Sequence, residues 1–477
     1  MNFRMIKNIL GWILIFEAAF MIIPLITAVI YWEDTFFAFL LSMGICLLVG
    51  FACIWKKPQN RTLYSREGFV IVSASWIILS LFGALPFFFS GEIPSYIDAF
   101  FETVSGLTTT GSSILTDIES MSHAGMIWRS FTNWVGGMGV LVFVMAFVPL
   151  SGGNNMHIMK AESPGPSVSK LVPKVKTTAL ILYLIYVILT LVMFIILLFG
   201  DMNVFEALCT SFSTAGTGGF GIRNDSFLSF SSYSQIVVTI FLFIFSINFA
   251  SYYLILLRRF KEAFTTEVKC FLIIVVSAIT IITLNTLGTF ASVGDGIKHV
   301  SFTVGSIIST SGFATVNYDT WPELSRMLLV LLMFIGGCAG STAGGLKISR
   351  LVIMFKSVIK EIRVMIHPKQ IKKISVDKAP VEHEVVRATN VYMVCYLLIF
   401  VSSVLIISMF NRDFETSFTS VAATLNNIGP GLSGVGPTQN FAFFNPFEKL
   451  VLCFNMLAGR LELFPMLLLF SPTTWKK

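Results

Sequence analysis

Apolar runs long enough to cross a bilayer recur along the whole chain, and between several of them lie apolar stretches too short to cross. A hydrocarbon core of about 30 Å requires roughly 20 helical residues. That length test predicts membrane-spanning helices over 8–31, 35–55, 69–90, 126–149, 177–199, 234–257, 268–289, 326–355, 388–409 and 447–471. It leaves 97–108, 204–214, 297–309 and 414–426 as short helices, each ending in a glycine-containing polar turn. After residue 68 the order is long helix, short helix, turn, long helix, and it runs four times. Composition agrees: 12% of residues are charged and mean hydropathy is +0.81, whereas soluble domains carry about 25% charged residues. The expected fold is an all-α polytopic membrane protein with four parallel helix–pore-loop–helix repeats around one central pore, preceded by two extra N-terminal transmembrane helices. The expected segments are a two-helix extension over 1–68 and units over 69–160, 161–262, 263–387 and 388–477.

The net charge of +7 is a topology signal rather than a mark of nucleic-acid binding. One side collects Arg4, Lys7, Lys56, Lys57, Arg61, Arg66, Lys160, Lys170, Lys174, Lys176, Arg258, Arg259, Lys261, Lys269, the run from Lys347 to Arg387, and Lys476 and Lys477. The other holds only Arg129, Arg223, Lys298, Arg326, Arg412 and Lys449. The rich side is expected to be cytoplasmic. All four turns then fall outside, each unit begins and ends inside, and both termini are cytoplasmic. Arg4 and Lys7 precede an apolar stretch without a small-x-small cleavage site, so it reads as a retained helix. The polar stretch 357–387 reads as a solvated cytoplasmic linker, with a docking surface as the alternative. The seven cysteines lack metal-ligand or CxxC spacing, so free thiols between helices are expected.

The turns read Ser105-Gly-Leu-Thr-Thr-Thr-Gly111-Ser, Ser213-Thr-Ala-Gly-Thr-Gly218-Gly-Phe, Ser306-Ile-Ile-Ser-Thr-Ser-Gly312-Phe and Leu425-Asn-Asn-Ile-Gly429-Pro-Gly. A dehydrated monovalent cation needs a ring of oxygen dipoles in place of its water. Irregular backbone at membrane depth supplies carbonyls where it lines a cavity, and glycine permits the dihedrals that turn them inward. Thr, Ser and Asn add hydroxyl and amide oxygens. No loop carries a carboxylate ring, which argues against a calcium-type filter and for potassium. Asp98, Glu102, Asp201, Glu206, Asp295, Asp413 and Glu415 precede or open the short helices, where they can concentrate cations at the mouth. One such turn alone would be a helix cap. Four in equivalent places are what a single pore requires.

The loop at 108–111, Thr217-Gly218-Gly219-Phe220, Ser311-Gly312-Phe313-Ala314-Thr315 and Asn426-Asn427-Ile428-Gly429-Pro430-Gly431 resemble those of the TrkH branch of the Trk/Ktr/HKT superfamily of potassium transporters. The resemblance covers essentially the full chain, and the two extra N-terminal helices favour this branch over the KtrB-like one. It implies Gly111, Gly218, Gly312 and Gly429 as filter glycines, with Thr109, Thr110, Thr217, Thr310, Ser311, Asn427 and Ile428 beside them. One shared glycine per loop is fewer than in Thr-Val-Gly-Tyr-Gly filters, which implies looser discrimination among potassium, rubidium and sodium. In the predicted helix 326–355, Gly336, Gly337, Gly340, Gly344 and Gly345 undermine helicity at about 1 kcal/mol each relative to Ala. The resemblance implies an intramembrane gating loop here, and Ser341 and Thr342 add polarity to it. Close packing through small residues is the alternative. Lys347 and Arg350, just beyond, are expected to reach the cytoplasmic surface.

Arg460 lies within the last apolar helix, where a charge needs a partner or water. Either it faces the pore below the filter and restrains conduction, with Glu462 as its partner, or it belongs to a structural ion pair near the helix end. The resemblance favours the first. Glu17, also within a span, is expected to pair with another helix, and the five histidines to lie in loops or at the surface. No nucleophile, metal cluster or acid/base pair marks an enzyme. The implied activity is gated potassium uptake across a bacterial cytoplasmic membrane, with potassium as substrate, no cofactor bound by this chain, a homodimeric assembly and a cytoplasmic nucleotide-binding partner of the TrkA type. The alternative is a sodium- or proton-coupled potassium symporter.

Overall fold

The computed structural model describes residues 1–56, 58, 64–139, 175–368, 373–377 and 379–475. The N-terminal extension is α1 (Phe3–Phe20), α2 (Ile22–Ile30) and α3 (Thr35–Ile54). α1 and α2 form one span jointed at Met21, and α1 packs along α3 where Gly11 faces Gly50. Such small-residue contacts let backbones approach where water cannot drive association.

The first unit contains α4 (Ser65–Gly83) and α5 (Leu85–Ser90) as one span, the short α6 (Tyr96–Leu107), and α7 (His123–Gly137). α7 ends at Gly137, short of the predicted 149, with Gly139 at a φ of 83°; residues 140–149 lie outside the described residues, as do Lys57, Arg61, Lys160, Lys170, Lys174, Lys369, Lys372, Lys476 and Lys477. The second unit contains α8 (Val175–Leu197), the short α9 (Val204–Gly216), α10 (Ser232–Ser246) and α11 (Phe249–Leu256). The third contains α12 (Thr266–Thr286), the short α13 (Val293–Ile308), α14 (Glu323–Ile335) and α15 (Ile348–Ile366). The fourth contains α16 (His383–Ser408), the short α17 (Phe414–Leu425), α18 (Pro446–Arg460) and α19 (Phe464–Phe470). The chain is an all-α polytopic membrane protein. Six helices among the described residues are long and apolar enough to cross a membrane, and the bent α10–α11 pair makes a seventh candidate.

Three further expected elements come out differently, and a fourth breaks where its glycines indicate. The helix predicted over 234–257 bends by 92° between α10 and α11. Asn248 makes the corner by accepting the Ala250 amide at 2.8 Å, which caps the new helix. The helix predicted over 326–355 is interrupted by irregular chain at 336–347, where the glycines at 336–345 point to a loop, and the break runs only slightly further. The helix predicted over 447–471 breaks after Arg460, where Glu462 and Leu463 take left-handed backbone with φ of 59° and 63°. Finally, the stretch expected as a linker from 357 stays helical to Ile366 and then makes a two-residue ladder, Ser375–Val376 against Ala379–Pro380.

Candidate ion-conduction pathway

The four short helices are fixed at their starts by side-chain caps. Ser95, Asn203, Ser292 and Asp413 accept the amides of Asp98, Glu206, Asp295 and Thr416 at 3.5, 2.9, 3.1 and 2.9 Å. Their C-terminal ends run directly into the four turns. The negative end of each helix macrodipole is therefore aimed at the turns, an arrangement that favours a cation there.

Each turn closes with the same two backbone hydrogen bonds. The amides of Thr109, Thr217, Thr310 and Asn427 reach back three residues, to Gly106, Thr214, Ile307 and Thr424, at 3.0–3.3 Å. The amides of Thr110, Gly218, Ser311 and Ile428 reach back five, to Ser105, Ser213, Ser306 and Ala423, at 2.8–2.9 Å. The first set shares left-handed backbone with φ of 53–61°, and two residues later Gly111, Gly219, Gly312 and Gly429 have φ of 75–103°. The register makes Gly219, not the expected Gly218, the counterpart of the other three glycines. Gly218 stands where Thr110, Ser311 and Ile428 stand. The constant spacing of six from Ser105, Ser213, Ser306 and Ala423 carries that signal in the sequence.

The turns form a closed ring. A Cβ on Gly111 would run into the carbonyl oxygen of Gly218, and one on Gly219 into that of Ser311. One on Gly312 would meet the carbonyl of Ile428, and one on Gly429 that of Thr110, which returns to the first loop. A side chain at these glycines is thus excluded by space as well as by φ. The same four glycines line one cavity at the mouth, about 130 Å³, together with Ser112, Pro430 and Gln439. Its oxygens are carbonyls and hydroxyls. Thr109 Oγ1 and Asn427 Oδ1 are buried with no hydrogen-bond partner among the described residues, so both retain acceptor capacity at the ring.

The acidic residues at the helix starts do more than face the mouth. Glu102 is fully buried and holds Arg129 at 2.8 Å, while its carboxylate also accepts Ser113 Oγ and the Ile114 amide at 2.9 and 3.0 Å. Arg129 in turn lies 4.2 Å from the Phe220 ring centre, which ties the first loop to the second. Glu206 pairs with Arg223, Asp295 with Lys298, Glu415 and Asp319 with Arg326, Glu448 with Arg412, and Asp98 with Lys449. Each cation on the basic-poor side therefore has a carboxylate partner, including Arg129 and Arg223, which line the mouth cavity. The Asn224 amide holds the exposed Asp117 carboxyl below the usual range. At Asp201 burial works against the charge, but hydrogen bonds from Ser231 and Ser234 outweigh it and hold the pKa at about 2.

Behind the ring, residues 336–347 press against the turns. Gly344 donates its amide to Thr310 Oγ1 at 2.6 Å, and Gly345 donates to the Asn426 carbonyl at 3.0 Å. The other flank of this segment fills the α10–α11 corner. Cys338 donates to the Ser246 carbonyl at 2.9 Å, and Phe249 to that of Gly340 at 3.0 Å. Ser341 bonds the Cys338 carbonyl at 2.6 Å and Thr342 that of Phe245 at 3.2 Å, while Gly336 and Gly337 lie against Gly344 and Ala343. Arg460 reaches this segment from α18. It donates to the carbonyls of Thr342, Gly136 and Gly137 at 2.9, 2.6 and 2.7 Å, bridging the first, third and fourth units.

The ion pairs here differ from expectation. Glu462 pairs with Arg350, which also lies 3.9 Å from the Tyr392 ring centre. Lys347 and Arg350 are both buried rather than at the surface. Lys347 donates to the Ala343 carbonyl and Arg350 to that of Leu346, so three cations hold carbonyls of one short segment. Glu17 is buried, and its Oε2 has no hydrogen-bond partner among the described residues. It lies beside Gly83 and is not the interhelical pair expected of it. His299 bonds Thr315 Oγ1 at 2.9 Å and His123 bonds Glu33 at 2.9 Å. Glu267, unremarked in the sequence because it looks like an ordinary first-turn acid, accepts the backbone amides of Ala339 in the 336–347 segment and of Ser349 just beyond it.

A family model described as "TrkH: Cation transport protein" matches residues 36–477. The chain is 37% identical to the Trk system potassium uptake protein TrkH of Escherichia coli, with all of both chains covered. It is 31% identical to the Trk system potassium uptake protein TrkG of the same organism, over 99% of each chain. The crystal structure of the potassium transporter TrkH from Vibrio parahaemolyticus superimposes with a TM-score of 0.89 at 32% identity, covering all of both chains.

Proposed function

The chain belongs to the TrkH family of cation transport proteins, and we propose that it is the pore-forming subunit of a Trk-type potassium uptake system. The observation that carries this reading is the ring of four turns, closed glycine to carbonyl, with four helix C-terminal ends aimed at it. The carbonyls of Thr110, Gly218, Ser311 and Ile428, and the glycines Gly111, Gly219, Gly312 and Gly429, form the filter. Thr109, Thr217, Thr310 and Asn427 lie directly below. The units begin near residues 69, 161, 263 and 388, each presenting its turn to the outside.

Potassium sheds its water onto this ring and then meets the 336–347 loop. That loop is the gate, since it presses on Thr310 and Asn426 from behind. Arg460 restrains flow by bridging the loop to Gly136 and Gly137 across the pathway. Moving one charge is worth about 2.3 kcal/mol per 100 mV, so an inside-negative cytoplasmic membrane drives accumulation without ATP at the pore. The protein sits in the bacterial inner membrane with both termini inside, works as a homodimer, and is opened by a cytoplasmic nucleotide-binding subunit of the TrkA type.

Rubidium flux into proteoliposomes, with sodium and potassium as competitors and with or without such a partner, tests the proposal. Flux blocked by potassium far better than by sodium is expected. Flux that stops when a sodium or proton gradient is removed would instead establish coupled symport.

A further inference from the structure

We propose that Glu267 is the latch of the 336–347 loop, a positioning residue whose carboxylate holds the loop in its blocking place; this rests on the reading of that loop as the gate. Glu267 stands in the first turn of α12, whose amide at Val268 is capped by Thr265. Its Oε1 accepts two backbone amides at once, Ala339 at 2.7 Å and Ser349 at 3.1 Å. These amides bracket the stretch Gly340–Ile348 that touches the filter turns and Arg460.

Ser349 lies in the first turn of α15, where amides have no acceptor within the helix. The N-cap position of α15 is Lys347, which makes no side-chain cap. A carboxylate from a different helix therefore takes the role of the cap and complements the positive end of α15. The same oxygen reaches back to Ala339, so one group fixes both the middle of the loop and its exit.

The loop's carbonyls and amides are held by side chains of opposite charge. Arg460, Lys347 and Arg350 bind its carbonyls at Thr342, Ala343 and Leu346. Glu267 is the carboxylate that binds its amides. Hydrogen bonds to an ionised acceptor are roughly twice as strong as neutral ones, so loss of this group releases the loop more than loss of a neutral contact would. The latch is itself anchored. The amide and hydroxyl of the neighbouring Thr266 both donate to Asp377 at 2.7 Å, so α12 is fixed at this end to the small ladder after α15.

The test uses the full chain in proteoliposomes with no added partner. E267A is expected to raise rubidium flux at least about tenfold, the factor that loss of even one charge-assisted bond implies, with the rubidium-to-sodium ratio unchanged. Cys338 is fully buried and adjoins Ala339, so it reports the loop independently of ion flow. After brief exposure to a membrane-permeant maleimide, mass spectrometry of its peptide should show labelling accelerated by a similar factor. If E267A fails to fold, E267Q keeps the volume and one acceptor oxygen, and an increase of roughly threefold in both readouts is expected from loss of the charge. Unchanged Cys338 labelling in a folded variant overturns the latch. Faster labelling with unchanged flux overturns the gate on which it rests, so the two failures are distinguishable.

Discussion

At Gly219 two constraints coincide, a φ of 75° and the Ser311 carbonyl where a Cβ would stand. Gly218 is different: its φ is not left-handed, and its Cβ would meet the buried Asn133 side chain rather than a carbonyl of the ring. Gly219→Ala should therefore lower rubidium flux and the potassium-to-sodium ratio well below the Gly218→Ala values; equal effects would contradict the register. The sequence offers two adjacent glycines there, and only the six-residue spacing from Ser213 separates them. At Arg460, alanine substitution should speed partner-free rubidium flux, because the guanidinium bridges carbonyls of three units. Lysine keeps the charge but loses the planar fork and should give an intermediate rate. Equal or slower flux in Arg460→Ala would count against a restraining role. Arg460 was legible as a mid-span charge, but its partners were not. Glu462 is nearer in sequence, yet left-handed backbone at 462 and 463 turns it toward Arg350.

Among the elements, the first short helix is held by a buried ion pair whose loss should be costly. Arg129 and Glu102 are both almost fully buried, and breaking such a pair strands a charge, at about 3–5 kcal/mol. Arg129→Met should lower the melting temperature of the detergent-purified protein markedly, and adding Glu102→Gln should recover part of the loss. Two independent, additive losses would refute the pairing. Asp201 ties the approach to α9 to the start of α10 through Ser231 and Ser234. Its folded pKa of about 2 lies below the ordinary 3.8. The stability it contributes is thus complete above about 3.8 and is lost as pH falls toward 2. Asp201→Asn should lower stability at pH 7 and reduce the acid dependence of melting between these values. The long apolar helices were legible because bilayer thickness fixes their length. The corner at Ile247–Asn248 was not, since neither proline nor glycine marks it and the apolar window runs through. It exists to seat Gly340 and Cys338 of a distant segment, information no local pattern holds.

For the whole molecule, the repeats carry the argument. Four turns could be read from the sequence as equivalent, and the structure adds that each packs a glycine against the carbonyl of the next until the ring closes. The acids near the turns were read as cation attractors, while the fold uses Glu102, Glu206 and Glu415 chiefly to neutralise Arg129, Arg223 and Arg326. Such pairings depend on which units adjoin, which a linear pattern does not disclose. On the proposed function, this ring selects potassium and the membrane potential alone drives it inward. The most direct measurement is the reversal potential of the purified protein in a planar bilayer while potassium, sodium and pH gradients are varied separately. The expected reversal potential follows the potassium gradient and stays fixed when the sodium or pH gradient is inverted. A reversal potential that moves with sodium or pH, or ignores potassium, would contradict that function.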